Sequence, residues 1–352
     1  MRKKYSDELT PDARLKVKKN LVYVAIFSIV MLFAGFTSAY IVSMGDTFWM
    51  KYPLPSGFWF STAAIAISSV FYVLAVRKAS AESVKPTRMF MILTLVAGLC
   101  FVFFQWKGYG QLVDRGANPV SQVTVTKGRY GDYFKIKYQG QMIEVNANDY
   151  LINGKVLTEK QMGELKDFLK RFEHTVDPKG YQVNEAWSSK FTLLYQDEPV
   201  SLEQGKLRTV SGKELGYIEM RRLRFLYWNV RDGRGDFFYK GKLGKDFQIY
   251  YKGKELTYKD RQLYFENKRL SAPLQLKINQ ASDTASAFLY IITILHLLHV
   301  AAALIYLFRM VLITLKPTLT IDNQISIRLG GIFWHFLGIL WLYLLVFLLF
   351  IH

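Results

Sequence analysis

Five stretches of this sequence are long and apolar enough to cross a bilayer: residues 21–44, 57–76, 89–106, 287–308 and 329–351. None contains Asp, Glu, Lys or Arg. A spanning helix needs about 20 consecutive apolar residues, since each adds about 1.5 Å to a crossing of about 30 Å. Few folds meet that constraint, because backbone N–H and C=O groups in lipid must bond to one another. The first stretch lies behind a polar leader and is too long for a cleavable signal, so it reads as a retained helix.

Orientation follows from the basic residues near the helix ends. The leader, residues 1–20, holds Arg2, Lys3, Lys4, Arg14, Lys16, Lys18 and Lys19. The second short loop holds Arg77, Lys78, Lys85 and Arg88, and the last loop Arg309, Lys316 and Arg328. The loop between the first two stretches has only Lys51. The expectation is a cytoplasmic N-terminus, with residues 107–286 and His352 outside. That long segment carries 31 basic and 22 acidic residues, but domains of its size translocate whatever their charge. The net charge of +18 is thereby shared between lipid-facing flanks and an external domain, and nucleic acid is not needed to explain it. Arg221, Arg222 and Arg224, among Phe225, Tyr227 and Trp228, read as a solvated strand face or a protein-docking surface. The lone Cys100 excludes an internal disulfide and any multi-cysteine metal centre.

The external segment reads as β-rich. Residues 133–138 and 247–251 alternate with the period of two of half-buried strands, and Gly140 and Gly253 follow at turn positions. Residues 131–158 align without gaps with 244–271: Phe134 falls on Phe247, Ile136 on Ile249, Tyr138 on Tyr251 and Leu157 on Leu270. Phe191, Leu193 and Tyr195 repeat the same aromatic-x-apolar-x-aromatic start between them, so a duplicated or triplicated strand unit is expected. One helix is predicted over 158–174, capped by Thr158, with Leu165, Phe168, Leu169 and Phe172 on one face.

In the membrane stretches, Gly35/Ala39 and Ala64/Ser68 have the spacing that lets helix backbones approach closely. Phe48, Trp49, Trp59, Trp106 and Tyr109 read as an aromatic belt toward the outer side. No carboxylate lies at depth, which counts against an ion-coupled transporter. Three histidines do: His296 and His299, three residues apart on one helix face, and His335 in the last stretch. Chemistry alone allows three readings: haem or metal ligands, proton carriers lacking acidic partners, or structural groups bonding between helices.

The segment His296-Leu297-Leu298-His299-Val300 and the segment Phe333-Trp334-His335-Phe336 through Trp341 resemble the last two helices of heme–copper oxidase subunit III. The hallmarks there are H-x-L-H-V and W-H-F-x-D-x-x-W. Phe103-Phe104-Gln105-Trp106 is similar to that family's glutamine-containing helix end, and Phe27 through Phe36 resembles its S-E-V…F-x-G-F helix. Five helices match its shorter bacterial form. The sequence departs from the family at Ile29 and Gly108, where glutamates are usual, and at Gly338, where Asp is usual. It also carries a connection of about 180 residues in place of a short loop, a length that could bury its own core.

The resemblance implies an all-α polytopic membrane bundle of five transmembrane helices, and the residue patterns add a β-rich extracytoplasmic domain inserted between helices 3 and 4. The expected parts are a cytoplasmic leader (1–20), helices 1–3 (21–106), the external domain (107–286) and helices 4–5 (287–352). It implies a non-catalytic subunit of an oxygen-reducing cytochrome c or quinol oxidase in a bacterial inner membrane. Haem and copper then belong to the partner subunits I and II, and this chain holds no cofactor beyond a bound phospholipid. His296, His299, Trp334, His335, Trp341 and Gln105 become helix-contact or lipid residues, not catalytic or metal-binding ones. The insertion is expected to meet neighbouring subunits or the electron-donor complex. Two alternatives stand beside this: a membrane-anchored sensor with an external β-domain, and a stand-alone haem protein.

Overall fold

The computed structural model of the chain describes residues 11–173 and 190–352. In chain order, helix α1 (Pro11–Asp46), strand β1 (Phe48–Lys51) and helices α2 (Ser56–Ser80) and α3 (Val84–Asp114) come first. Strands β2 (Phe134–Tyr138), β3 (Gln141–Asn146), β4 (Asp149–Ile152) and β5 (Lys155–Val156) lead to helix α4 (Glu159–Lys170). Strands β6 (Phe191–Tyr195), β7 (Glu198–Glu203) and β8 (Lys206–Thr209) lead to helix α5 (Tyr217–Arg231). Strands β9 (Gln248–Tyr251), β10 (Lys254–Glu255), β11 (Thr257–Lys259), β12 (Gln262–Phe265) and β13 (Lys268–Arg269) lead to helix α6 (Ala272–Gln280). Helices α7 (Thr284–Thr314) and α8 (Ile321–Phe350) close the chain. Of the positions read from sequence, Arg2, Lys3, Lys4 and His174 lie outside the described residues.

The chain divides into two compact units: one of residues up to Ser43, Leu54–Val113 and Ala285–His352, the other of Met44–Pro53 and Asp114–Thr284. The first unit consists of helices. α1, α2, α3, α7 and α8 are each long and apolar enough to cross a membrane, with mean hydropathy of 1.8 to 2.3 over their candidate spans. Leu21, Phe27, Phe103, Trp106 and Ile305 point mostly outward. So wide an apolar surface suits hydrocarbon and would be unstable in water. Helices α2 and α3 touch backbone to backbone, since a Cβ on Gly57 would stand 2.6 Å from the Gly108 nitrogen. Gly35 instead faces open space and Ala39 is exposed, so that pair makes no close approach within the chain. In the other pair, Ser68 is fully buried.

The second unit is built from repeats. Units 131–170, 191–231 and 244–280 each run through short antiparallel strands into a helix. Leu157 N bonds Tyr150 O, Leu215 N bonds Leu207 O, and Leu270 N bonds Leu263 O. Gln139, Gln196 and Lys252, at matching turns, all have φ 49°, and Ala147, Gln204 and Asp260 lie at 54°, 51° and 50°. These left-handed residues turn two-residue hairpins in the sense that suits twisted strands. The buried positions match as well: Ile136, Leu193 and Ile249 in the first strands, and Leu165, Leu223 and Ile278 in the helices. Strand pattern and helix pattern therefore repeat three times, although only the strands betray it in sequence.

Repeats one and two form one seven-stranded antiparallel sheet, β5-β4-β3-β2-β6-β7-β8, over a shared core with α4 and α5. Their first strands pair with Phe134 opposite Tyr195, Ile136 opposite Leu193 and Tyr138 opposite Phe191. The rings of the two outer pairs stand 5.2 and 5.1 Å apart, both at 53°, so the pairing has a local twofold about Ile136 and Leu193. In the third repeat, β9 pairs instead with β1, from the connection between α1 and α2.

Several expectations change here. Phe48 and Trp49 are not part of a lipid-facing belt; they are buried in the β1–β9 pairing, whereas Trp59 and Trp106 stay exposed. The β-rich unit has three helices among its described residues, not one. The 158–174 helix runs over Glu159–Lys170, and Thr158 and Gln161 form its capping box. Arg221, Arg222 and Arg224 sit on helix α5 and not on a strand face. Met220, Leu223, Tyr227 and Val230 recur at three- and four-residue steps there, a period the aromatic run 225–228 obscures. Helix α3 continues to Asp114, beyond the expected end at 106.

Candidate functional site

Helix α2 carries three hydroxyls that organise the helical unit. Ser61 Oγ donates to Phe58 O (2.8 Å), Thr62 Oγ1 to Phe58 O (2.7 Å) and Ser68 Oγ to Ile65 O (2.8 Å). Each proton is thus held by the hydroxyl's own helix, and each oxygen is left to accept. Gln105 Nε2 of α3 donates to Ser61 at 3.0 Å. From α8, Trp341 Nε1 donates to Thr62 and Trp334 Nε1 to Ser68, both at 2.9 Å. Gln105 Oε1 is buried with no hydrogen-bond partner among the described residues.

Helix α7 joins through His296, which is buried. Its Nε2 lies 3.0 Å from the Leu337 carbonyl of α8; a carbonyl only accepts, so Nε2 holds the proton and donates. The His296 ring stands 5.5 Å from Trp341 and 5.9 Å from Phe101, and Phe101 meets Trp341 edge-on. His299 Nδ1 donates to Leu295 O, one turn back at 2.7 Å, with its ring 5.9 Å from Phe33. His335 stands edge-on to Tyr72 at 6.0 Å. The six residues singled out from sequence therefore divide. Gln105, His296, Trp334 and Trp341 join α2, α3, α7 and α8, whereas His299 and His335 sit beside other rings. Ser61 and Thr62 were not foreseen, since nothing in their local sequence marks them as acceptors for groups so distant in the chain. Among the described residues, no three His, Cys, Asp or Glu side chains are grouped as a metal site.

Beside this network lies a cavity of about 420 Å³, lined in part by Lys18, Leu21, Tyr72, Tyr306, Gly330 and Trp334. Its wall is apolar and aromatic with a cation at one side. Lys18 and Arg14 lie 3.9 and 3.6 Å from Asp322 of α8.

In the β-rich unit the most concentrated chemistry is a buried ion cluster. Asp236, 2% exposed, accepts from Arg129 Nε (2.7 Å), Arg261 Nη2 (2.5 Å) and the Tyr258 hydroxyl (2.7 Å). Burial pushes the Tyr258 phenol up, and the Asp236 charge adds to that. Asp236 also donates its N–H to Ala147 O, so it fastens the third repeat to the first. The arginines of α5 rest on rings: Arg222 lies 3.8 Å over Tyr133 and Arg224 5.0 Å over Trp228. Compared with known protein families and with curated proteins, the chain matches none.

Proposed function

We infer that this chain is the non-redox third subunit of a heme–copper terminal oxidase, a structural partner of the subunits that reduce oxygen. The observation that carries the reading is the use made of the motif residues: His296, Trp334 and Trp341 donate into helix–helix hydrogen bonds. A haem-ligating imidazole can also donate its second N–H to a carbonyl, so what favours a packing role is the buried His296 ring lying against Trp341 and Phe101. The apolar residues Ile29, Gly108 and Gly338, at positions where the resembled family has carboxylates, favour packing over proton handling. The cavity beside Tyr72 and Trp334 suits a phospholipid, with its tails on the aromatic wall and its headgroup near Lys18.

In this reading the N-terminus is cytoplasmic in a bacterial inner membrane, and the β-rich unit stands outside. There it meets the other oxidase subunits or the complex that delivers electrons. The test is purification of the tagged chain in mild detergent, with haem spectra and identification of what accompanies it. Co-purification of haem-bearing oxidase subunits is expected, with no Soret band from the isolated chain. A Soret band from the chain alone, or the absence of oxidase subunits, overturns the reading. A deletion of 115–281 should keep the oxidase spectra and weaken attachment of the donor complex.

A further inference from the structure

The first strands of the three repeats share one pattern, and a fourth segment shares it too. Phe134-x-Ile136-x-Tyr138, Phe191-x-Leu193-x-Tyr195 and Phe247-x-Ile249-x-Tyr251 are matched by Phe48-x-Met50-x-Tyr52. The likeness extends to pairing. In β2–β6 the central apolar residues face each other and each phenylalanine faces a tyrosine. In β1–β9, Met50 faces Ile249 and Phe48 faces Tyr251 in the same register. Phe48 and Tyr251 stack at 4.8 Å, and Phe48, Met50 and Ile249 are all buried. Residues 48–52 thus occupy on the third repeat the place that repeats one and two fill for each other.

A strand that pairs with its own homologue about a twofold is close to self-complementary. For β9 the arrangement can be written out from the β2–β6 register. Ile249 would face its own counterpart in a second chain, Phe247 would face Tyr251, and Asp246 would face Lys252, an acid opposite a base. Each of these pairs is favourable across antiparallel strands.

We propose that β9 is a homotypic docking strand: the partner it fits is β9 of a second copy of this chain, and residues 48–52 are the built-in occupant that competes with that copy. The competition makes the β1–β9 pairing an exchangeable contact between the α1–α2 connection and the third repeat. While β1 is seated the edge of β9 is closed, and when β1 leaves, two chains join through their third repeats.

The experiment uses the full chain in lipid nanodiscs or detergent, in a Cys100→Ser background. With Met50→Cys and Ile249→Cys together, a disulfide within one chain is expected, and the protein should stay a monomer on non-reducing gels. With Ile249→Cys and Met50→Asp, which puts a charge where the pairing buries a thioether, a disulfide-linked dimer is expected. Its yield should be at least tenfold that of Ile249→Cys alone, and tenfold that of Met50→Asp carrying a control cysteine at exposed Lys259. A second displacing variant, Phe48→Ser with Met50→Ser, should behave alike. Equal crosslinking at the control position overturns the proposal, as does a protease-resistant but monomeric displaced chain. Failure of the intrachain disulfide does the same. Loss of the folded unit in both displaced variants also overturns it, because β1 would then be part of the core and not an exchangeable occupant.

Discussion

A hydroxyl whose proton is held by its own helix and whose oxygen faces a tryptophan can be tested one atom at a time. Trp334→Phe keeps most of the ring and removes the donor to Ser68, and Ser68→Ala removes the acceptor. Each should cost about 1 kcal/mol, the scale of interhelical hydrogen bonds in membranes, and the double variant should cost less than the sum. Thermal unfolding in detergent would show it, and strict additivity would mean the bond is not made. Gly98→Val should cost more, since even a Cβ there would stand 2.8 Å from the Trp334 ring. At Asp236 the arithmetic differs, because removing the acid leaves Arg129 and Arg261 facing each other. Asp236→Ala should destabilise the β-rich unit by about 3–5 kcal/mol, read from its resistance to protease. The tryptophans and histidines were legible in the sequence because polar atoms among apolar residues stand out. Their acceptors were not: Ser68 lies 266 residues from Trp334, and only the fold brings them together.

Among the elements, glycines separate turns that need only a dihedral from those that also need space. Gly140 has φ 84° and open surroundings, so Gly140→Ala should cost about 1 kcal/mol. Gly128 has φ 67°, and a Cβ there would stand 2.5 Å from the backbone of Phe225 and Leu226 in α5. Gly128→Ala should therefore cost about 3 kcal/mol and loosen α5, which hydrogen exchange along that helix would report. The strands were readable because alternation and glycine turns are local signals. Helix α4 announced itself through Thr158 and the spacing of Leu165, Phe168, Leu169 and Phe172, and the structure adds Gln161 to the cap. Helices α5 and α6 went unread for physical reasons. The α5 cap is Gly216, which has no side-chain oxygen of its own and leaves Glu219 to accept from its N–H at 3.1 Å, and aromatic residues fill the helix's apolar positions alongside arginines. Only comparison of the three repeats, position by position, shows that Leu165, Leu223 and Ile278 do the same work.

For the molecule as a whole, the sequence was most informative where physics is least forgiving. Five uncharged apolar stretches became five long helices, because lipid leaves the backbone no other way to satisfy itself. The division into units was less legible, since Met44–Pro53 belongs with the β-rich unit although it lies between two membrane stretches in sequence. Acid should act on that unit first. Tyr138, Ser211 and Lys206 donate to Glu164, Glu198 and Glu214, holding these carboxyls below their ordinary range. The stabilisation this brings is complete above the ordinary carboxylate pKa of about 4.3 and is lost as pH falls through the lower folded values. Melting of the β-rich unit should therefore be flat from pH 7 to about 5 and fall below about 4. A matched lysine-to-methionine variant, Lys206→Met, should weaken that fall.

The three repeats also obey a rule of parity. First strands are satisfied in pairs, so an array of two could close on itself, while an array of three must borrow a strand from outside. Loss of one repeat would therefore leave Phe48, Trp49 and Met50 as an orphaned apolar segment, and gain of one would evict them. A change in the array by a single copy is therefore expected to need a matching change between α1 and α2.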